Sequence, residues 1–135
     1  MAQRDGSRGP GGAGAGAEHA RVVAALRRAT GAGDRDGVRA LVEPDATLWV
    51  DAAGSDDATP GVVEGGDETA RALCQVLRPG PGVEVAVCSV NGADGLVVRH
   101  EAVVTGVVSV TVRSARVREA WVVLSPYKLE RWNRD

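Results

Sequence analysis

Two side chains in this sequence, those of His100 and Asp51, are candidates for acid–base chemistry. His100 occurs in a run of alternating apolar residues. By parity it shares a face with Leu96 and Val98, which predicts an imidazole directed at an apolar interior. Asp51 ends a predicted strand where an acidic loop, residues 51–61, begins. Burial raises the pKa of a carboxyl group and lowers that of an imidazole, so both groups could exchange protons near neutral pH. If they meet, the carboxylate could orient the imidazole as an acid–base dyad.

Each candidate also has a purely structural interpretation. His100 could be a hydrogen-bonded core histidine, and Asp51 could form a turn, as aspartate commonly does. Three aromatic residues are candidates for contacting a substrate. Trp49 and Trp121 could line the core, a ligand site, or both. Tyr127, the only tyrosine, could donate a hydrogen bond to a substrate oxygen or simply anchor a terminal helix.

The elements that position these residues follow from the hydrophobic periodicity. In chain order they are a helix from Glu18 to the glycines at 31 and 33, a short helix capped by Asp34, a strand over 46–51, a helix capped by Asp67 that ends before Pro79, about four valine-rich strands over 83–124, and a terminal helix beginning at Pro126. This order predicts an α+β domain with a curved antiparallel sheet wrapped over about three N-terminal helices. A sheet curled into a cone in this way leaves a cavity suited to a small molecule.

Length, charge and composition limit the possible classes of protein. The 135 residues fit one domain, with a Gly/Ala-rich segment over 1–17 predicted as a disordered tail and a single domain over 18–135. A formal net charge of −2 argues against a nucleic-acid-binding protein. No apolar run approaches the roughly 20 residues that span a bilayer, and the N-terminus lacks the apolar core of a signal peptide. We therefore expect a cytoplasmic protein without a membrane segment.

Cysteine and histidine spacing gives no indication of a metal site or a disulfide framework. Cys74 and Cys88 fall in a helical and a strand pattern, respectively, and are predicted to be small buried hydrophobes. His19 and His100 have no second histidine or cysteine at ligand spacing. We expect no metal ion and no organic cofactor.

Four short motifs occur in an order and spacing that resemble a known family. They are Asp51-Ala52-Ala53-Gly54, the run from Val63 to Arg71, the strand–turn–strand segment from Val90 to Val98, and Ser125-Pro126-Tyr127-Lys128-Leu129. On these motifs the chain resembles SnoaL-like domains of the nuclear transport factor 2-like superfamily. It is most similar to the version at the C-terminus of one group of extracytoplasmic-function sigma factors. Ser125 and Tyr127 replace the Asn and Asp of the sigma-factor motif, and Val122 stands where polyketide-cyclase relatives often carry an acidic residue.

The resemblance implies two alternative functions for what we expect to be a stand-alone domain. In the first, it is a cofactor-free acid–base enzyme of the cyclase, isomerase, dehydratase or epoxide-hydrolase type. It would act on a small hydrophobic molecule in specialised-metabolite biosynthesis, with His100 and Asp51 as catalytic residues and Trp49, Trp121 and Tyr127 as substrate-binding residues. In the second, it is a non-catalytic ligand-binding or regulatory interaction module. In either case we expect a homodimer through the outer sheet face, where parity places Arg99, Glu101, Ser109, Thr111 and Arg113.

Overall fold

This computed structural model describes residues 10–54 and 61–134. The described residues contain four α-helices and six β-strands. The helices are α1 (Pro10–Gly31), α2 (Arg35–Ala40), α3 (Gly66–Val76) and α4 (Pro126–Leu129), the last followed by a short 3₁₀ turn over Glu130–Trp132. The strands are β1 (Val42–Asp51), β2 (Val62–Glu64), β3 (Val83–Val90), β4 (Ala93–His100), β5 (Val103–Arg113) and β6 (Arg116–Val123).

The helix boundaries reflect local capping and packing. Asp34 caps α2 as predicted, since its Oδ1 accepts the Gly37 amide proton at 2.9 Å. The cap predicted for α3 is wrong by two positions. Gly65, with φ of 98°, is the N-cap, whereas Asp67 lies in the first turn and pairs with Arg39 Nε at 2.6 Å.

The predicted N-terminal tail lies partly outside the described residues. Residues 1–9 fall outside them, as do residues 55–60 of the acidic loop. Residues 10–17, which were assigned to the tail, form the first turns of α1. Once a helix is nucleated, each further residue adds a hydrogen bond, and here this extension proceeds in spite of four glycines, each about 1 kcal/mol less favourable than alanine.

The sheet is mixed rather than wholly antiparallel, with the strand order β2-β1-β6-β5-β4-β3. β1 runs parallel to β6, and the other neighbouring strands pair antiparallel. The sequence did not predict this because the two-residue alternation of a strand is the same in either orientation. β1 also begins at Val42, and the register shift between Val42 and Thr47 accommodates Pro44 inside the strand.

The two faces of the sheet carry separate apolar clusters. On the helix face, which packs against α1, α2 and α3, the fully buried leucines include Leu26, Leu48 and Leu73. On the opposite side, the outer face, Val97 and Val107 are covered by α4 and the residues that follow it. The described domain is therefore an α+β fold with a curved mixed sheet, as the sequence predicted apart from the orientation of β1.

The C-terminal segment is fixed to the outer face by apolar and polar contacts. Leu129 is buried there, and Trp132 packs beside it. The Asn133 side chain bonds both backbone groups of Val104, accepting from its N–H at 2.7 Å and donating to its C=O at 3.1 Å. Within the described residues, this arrangement leaves the neighbouring part of the outer face, over β1 and β6, without a helix. Among the described residues, no helix combines the length and apolar character required to cross a bilayer.

Candidate functional site

His100 lies at an exposed strand end, so its predicted position in an apolar interior is corrected. Leu96 and Val98 are buried as parity predicted, but His100 is the last residue of β4 and its side chain is exposed. A two-residue turn of Glu101 and Ala102, with φ of 52° and 71°, follows directly. The chain therefore leaves the sheet at the point where the predicted strand would have continued beneath the helices.

Asp51 is a half-buried residue that joins β1 to the C-terminal segment. Its carboxylate accepts a hydrogen bond from Lys128 Nζ and another from the Ala53 amide at 3.3 Å. Its backbone carbonyl accepts from the amides of Leu124 and Ser125 at 2.7 and 3.1 Å. The ammonium group of Lys128 holds the pKa of the Asp51 carboxyl below its ordinary value of 3.8. The side chain is therefore ionised at neutral pH, unlike the poised carboxyl group predicted from burial.

Asp51 and His100 do not form a dyad in this structure. Strands β6 and β5 separate β1 from β4, which amounts to three inter-strand steps of about 4.8 Å each. Asp51 pairs in register with Val123, this row continues through Val107 to Val97, and His100 lies three residues further along β4. Lys128, rather than an imidazole, is the side chain that orients the Asp51 carboxylate.

Trp49 and Trp121 stack on each other on the outer face, away from the helices. They are register partners across the parallel β1–β6 pair, with ring centroids 5.3 Å apart and planes inclined by 13°. Trp49 alternates with Leu48 and Val50, which contact the helix-face cluster. This placement corrects the expectation that the two rings line a cavity beneath the helices. Trp121 remains 37% exposed, and the adjacent Val62 of β2 is 51% exposed.

Tyr127 also lies outside any described cavity beneath the helices, and 77% of it is exposed. Its ring packs against Gly54, where an added Cβ would be 3.4 Å from Tyr127 Cε2. Because Lys128 binds Asp51 at the same junction, the segments 51–54 and 125–129 touch each other. Thus Asp51, Trp49, Trp121 and Tyr127 all contribute to the outer side of the domain, whereas His100 is remote from them.

Around the stacked indoles the outer face has three zones, which we call the acidic row, the aromatic row and the basic end. The aromatic row consists of Val62, Trp49 and Trp121, which are neighbours across β2, β1 and β6. The acidic row consists of Glu64 and Glu119, which both pair in register with Thr47, two residues before Trp49 on β1. The basic end, Lys128 and Arg131, borders a cleft of about 340 Å³ above Val107 and Val123. The sequence missed Val62 because a three-residue strand is too short to show alternation.

The described part of the helix-face interior contains aliphatic side chains and bonded hydroxyl groups. Thr30 Oγ1 donates to the Leu26 carbonyl at 2.9 Å, and Thr69 Oγ1 donates to the Ala46 carbonyl at 3.4 Å. The buried carboxylate of Glu43 is held at the sheet end by two hydrogen bonds from Arg113, at 3.0 and 2.7 Å. The Arg113 guanidinium lowers the pKa of Glu43. None of these groups, within the described residues, is an unpaired acid or base facing the helices.

The ion pair between Lys128 and Asp51 predicts a pH-dependent contribution to stability. The folded-state pKa of Asp51 is lower than its ordinary value. The contribution of the ionised Asp51 to folding stability is therefore complete above pH 3.8 and is lost as the pH falls through the folded-state pKa. Lys128→Met should therefore lower the urea midpoint of unfolding at neutral pH. The difference in urea midpoint between this variant and wild type should become smaller at acid pH. Arg134→Met, which removes an exposed cation from the same C-terminal segment, is the control. If the difference in urea midpoint between Lys128→Met and wild type stays constant at acid pH, the ion pair does not make this contribution to stability.

Comparison with known proteins supports this description of the fold. Over 120 residues the chain is 33% identical to the ECF RNA polymerase sigma factor SigJ of Mycobacterium tuberculosis, and the match covers 82% of this chain and 38% of the sigma factor. The crystal structure of that sigma factor aligns with a TM-score of 0.62 and 29% identity, over 82% of this chain and 43% of the other. No family model matches the chain.

Two other solved structures share the fold at lower identity. An NTF2-like protein of unknown function from Mesorhizobium loti aligns with a TM-score of 0.59 and 13% identity, over 81% of this chain and 92% of its own. An LEH-like epoxide hydrolase from M. tuberculosis aligns with a TM-score of 0.52 and 19% identity, over 87% and 90%. At these identities the likeness concerns the fold alone.

The curved sheet and its three packed helices are thus those of the nuclear transport factor 2-like fold. Within that class the chain is a SnoaL-like domain protein, which confirms the resemblance carried by the four sequence motifs. It spans 38% of the length of the sigma factor that it matches.

Proposed function

We propose that this chain is a SnoaL-like protein-interaction module that binds through the outer face of its sheet. The observation that carries the proposal is the stacked pair of Trp49 and Trp121, with Trp121 37% exposed and an exposed valine, Val62, on the other side of Trp49. Tryptophan in an exposed apolar patch is typical of the centre of a protein interface. By contrast, Leu48 and Leu73 on the helix face are fully buried.

The partner that we propose is a second copy of the chain. Glu64 lies two strands to one side of Trp121 in the acidic row, and Arg131 lies to the other side at the basic end. In the proposed dimer the two-fold axis lies in the interface plane, passes next to Trp121 and is perpendicular to the line from Glu64 to Arg131. This axis would place Trp121 against its own copy and each Glu64 near the partner's Arg131. Such a self-complementary face is what an isologous dimer requires.

The sigma-factor likeness supports the interaction module over the enzyme. A segment of SigJ resembles this chain, and SigJ is named as an RNA polymerase sigma factor rather than as an enzyme acting on a small molecule. The epoxide hydrolase shares only the fold. Cofactor-free acid–base catalysis on a hydrophobic metabolite stays a prediction. It would have to proceed without an Asp51–His100 dyad and with an Asp51 already bound by Lys128.

Sedimentation equilibrium of the whole chain tests the proposal directly. We expect a mass of twice the 13.9 kDa chain at concentrations of about 10 µM, corresponding to a free energy of association of about −8 kcal/mol or stronger. Because opposite charges face each other across the proposed interface, added salt should weaken the association moderately. A monomer mass at every concentration up to about 100 µM would contradict the proposal.

A further inference from the structure

We infer that a groove among the first three helices binds a small anionic ligand that carries phosphate or carboxylate groups. The groove lies where the end of α1, the start of α2 and the end of α3 meet, and it reaches the edge strand β3 at Val83 and Val85. It is separate from the outer face, so this inference does not depend on the proposed dimer.

The groove consists of two adjoining clefts that share Thr30 and Pro79. The larger, of about 430 Å³, is lined by Arg35, Arg71 and Arg78 together with Cys74. The smaller, of about 310 Å³, adds Arg27 and Arg28 from α1. The two linings therefore bring together five arginines from four segments of the chain and include no carboxylate, although the chain as a whole has a net charge of −2.

The fold itself does not require the three arginines of the larger cleft. Arg35 is the first residue of α2, where a positive charge is unfavourable beside the positive end of the helix dipole. Arg71 has one ion pair within the described residues, to Glu68 at 3.9 Å between two exposed side chains, and such pairs contribute little. Only Arg78, after the end of α3, has an evident structural benefit from the helix dipole.

The chemistry of the lining indicates the class of ligand. Guanidinium groups bind phosphate and carboxylate oxygens through paired N–H donors, and their charge persists at any physiological pH. A cleft of about 430 Å³ has the size of a site for a small molecule. Half-buried Cys74 and the ring of Pro79 provide an apolar wall, so the ligand would combine an oxyanion with a short apolar part.

Charge-matched variants distinguish a site from general ionic effects. At constant ionic strength, inorganic pyrophosphate and citrate are titrated separately, and the melting temperature is followed for the whole chain. We expect saturable stabilisation by at least one probe, with its apparent Kd weakened tenfold or more in the variant Arg35→Gln/Arg71→Gln/Arg78→Gln. The variant Arg21→Gln/Arg116→Gln/Arg134→Gln, which has the same charge, should bind like wild type. Response to pyrophosphate alone identifies a phosphoryl ligand, and response to citrate alone a carboxylate ligand. Equal weakening in both triple variants, or no saturation with either probe, would overturn the inference.

A thiol footprint gives a second measurement that needs no arginine variant. In a Cys88→Ala background Cys74 is the single thiol, and its alkylation by neutral iodoacetamide can be followed by intact-protein mass. Burial raises the pKa of the Cys74 thiol, so the reaction is followed at alkaline pH. We expect the saturating probe to slow alkylation at least fivefold, because it occupies the cleft that Cys74 lines. An unchanged rate at saturation would place the ligand elsewhere and overturn the inference.

Discussion

Truncation of Leu73 to alanine is expected to lower the free energy of unfolding by about 3 kcal/mol, within the range for large cavity-forming substitutions. Leu73 projects from α3 into the helix-face cluster and is 0% exposed. The clustered neighbours Leu26 and Leu48 are equally buried, so the space left by the side chain cannot be filled by water or by a small rotation. Equilibrium unfolding in urea, followed by circular dichroism, measures the change.

The same measurement tests whether the interior is filled. Val103→Ala removes apolar atoms from a half-exposed position away from the aromatic row and should cost less than about 0.5 kcal/mol, which makes it the matched control. A cost below about 1 kcal/mol for Leu73→Ala would mean that the side chain borders an existing void. That result would favour a ligand cavity under the helices, and with it the enzyme hypothesis, over the interaction module.

Periodicity located the strands well, but it could not locate every turn. The turn at Asn91 and Gly92 was predicted because both residue types tolerate the left-handed conformation, and their φ angles are 54° and 87°. The turn at Glu101 and Ala102 has the same geometry without either signal, so its position was missed and His100 was assigned to a strand interior. The prediction of the fold depends on many residues and was correct in spite of this error. The predicted environment of one candidate site residue, His100, was reversed by it.

Parity groups residues onto one face but does not say which face meets the helices. Trp49 and Asp51 were predicted to share a face, and the contacts of both lie on the outer side, to Trp121 and Lys128 respectively. The choice between the two faces depends on long-range pairing, here the parallel contact of β1 with β6. Local alternation contains no information on that contact, which is why four predicted site residues assemble on the side opposite to the predicted cavity.

Replacement of Trp121 by alanine should weaken the proposed dimer at least about 30-fold, because truncation of a central interface tryptophan costs about 2 kcal/mol or more. In the dimer the exposed edge of this indole would be covered by the partner's Trp121, while Trp49 supports its other face. Val87→Ala removes apolar surface from the edge strand β3, far from the aromatic row, and should leave the association constant unchanged. Sedimentation equilibrium of both variants, with circular dichroism to verify folding, gives the comparison.

A charge-reversal cycle then tests the proposed symmetry itself. Glu64→Arg and Arg131→Glu each place like charges opposite one another in the two-fold arrangement, and each should weaken the dimer. The double variant restores opposite charges at both contacts, so its association should recover most of the loss. Coupling of this kind arises only if Glu64 approaches the partner's Arg131, since the two residues lie on opposite sides of Trp121 within one chain. Losses that simply add in the double variant would reject this two-fold axis, even if Trp121→Ala dissociates the dimer.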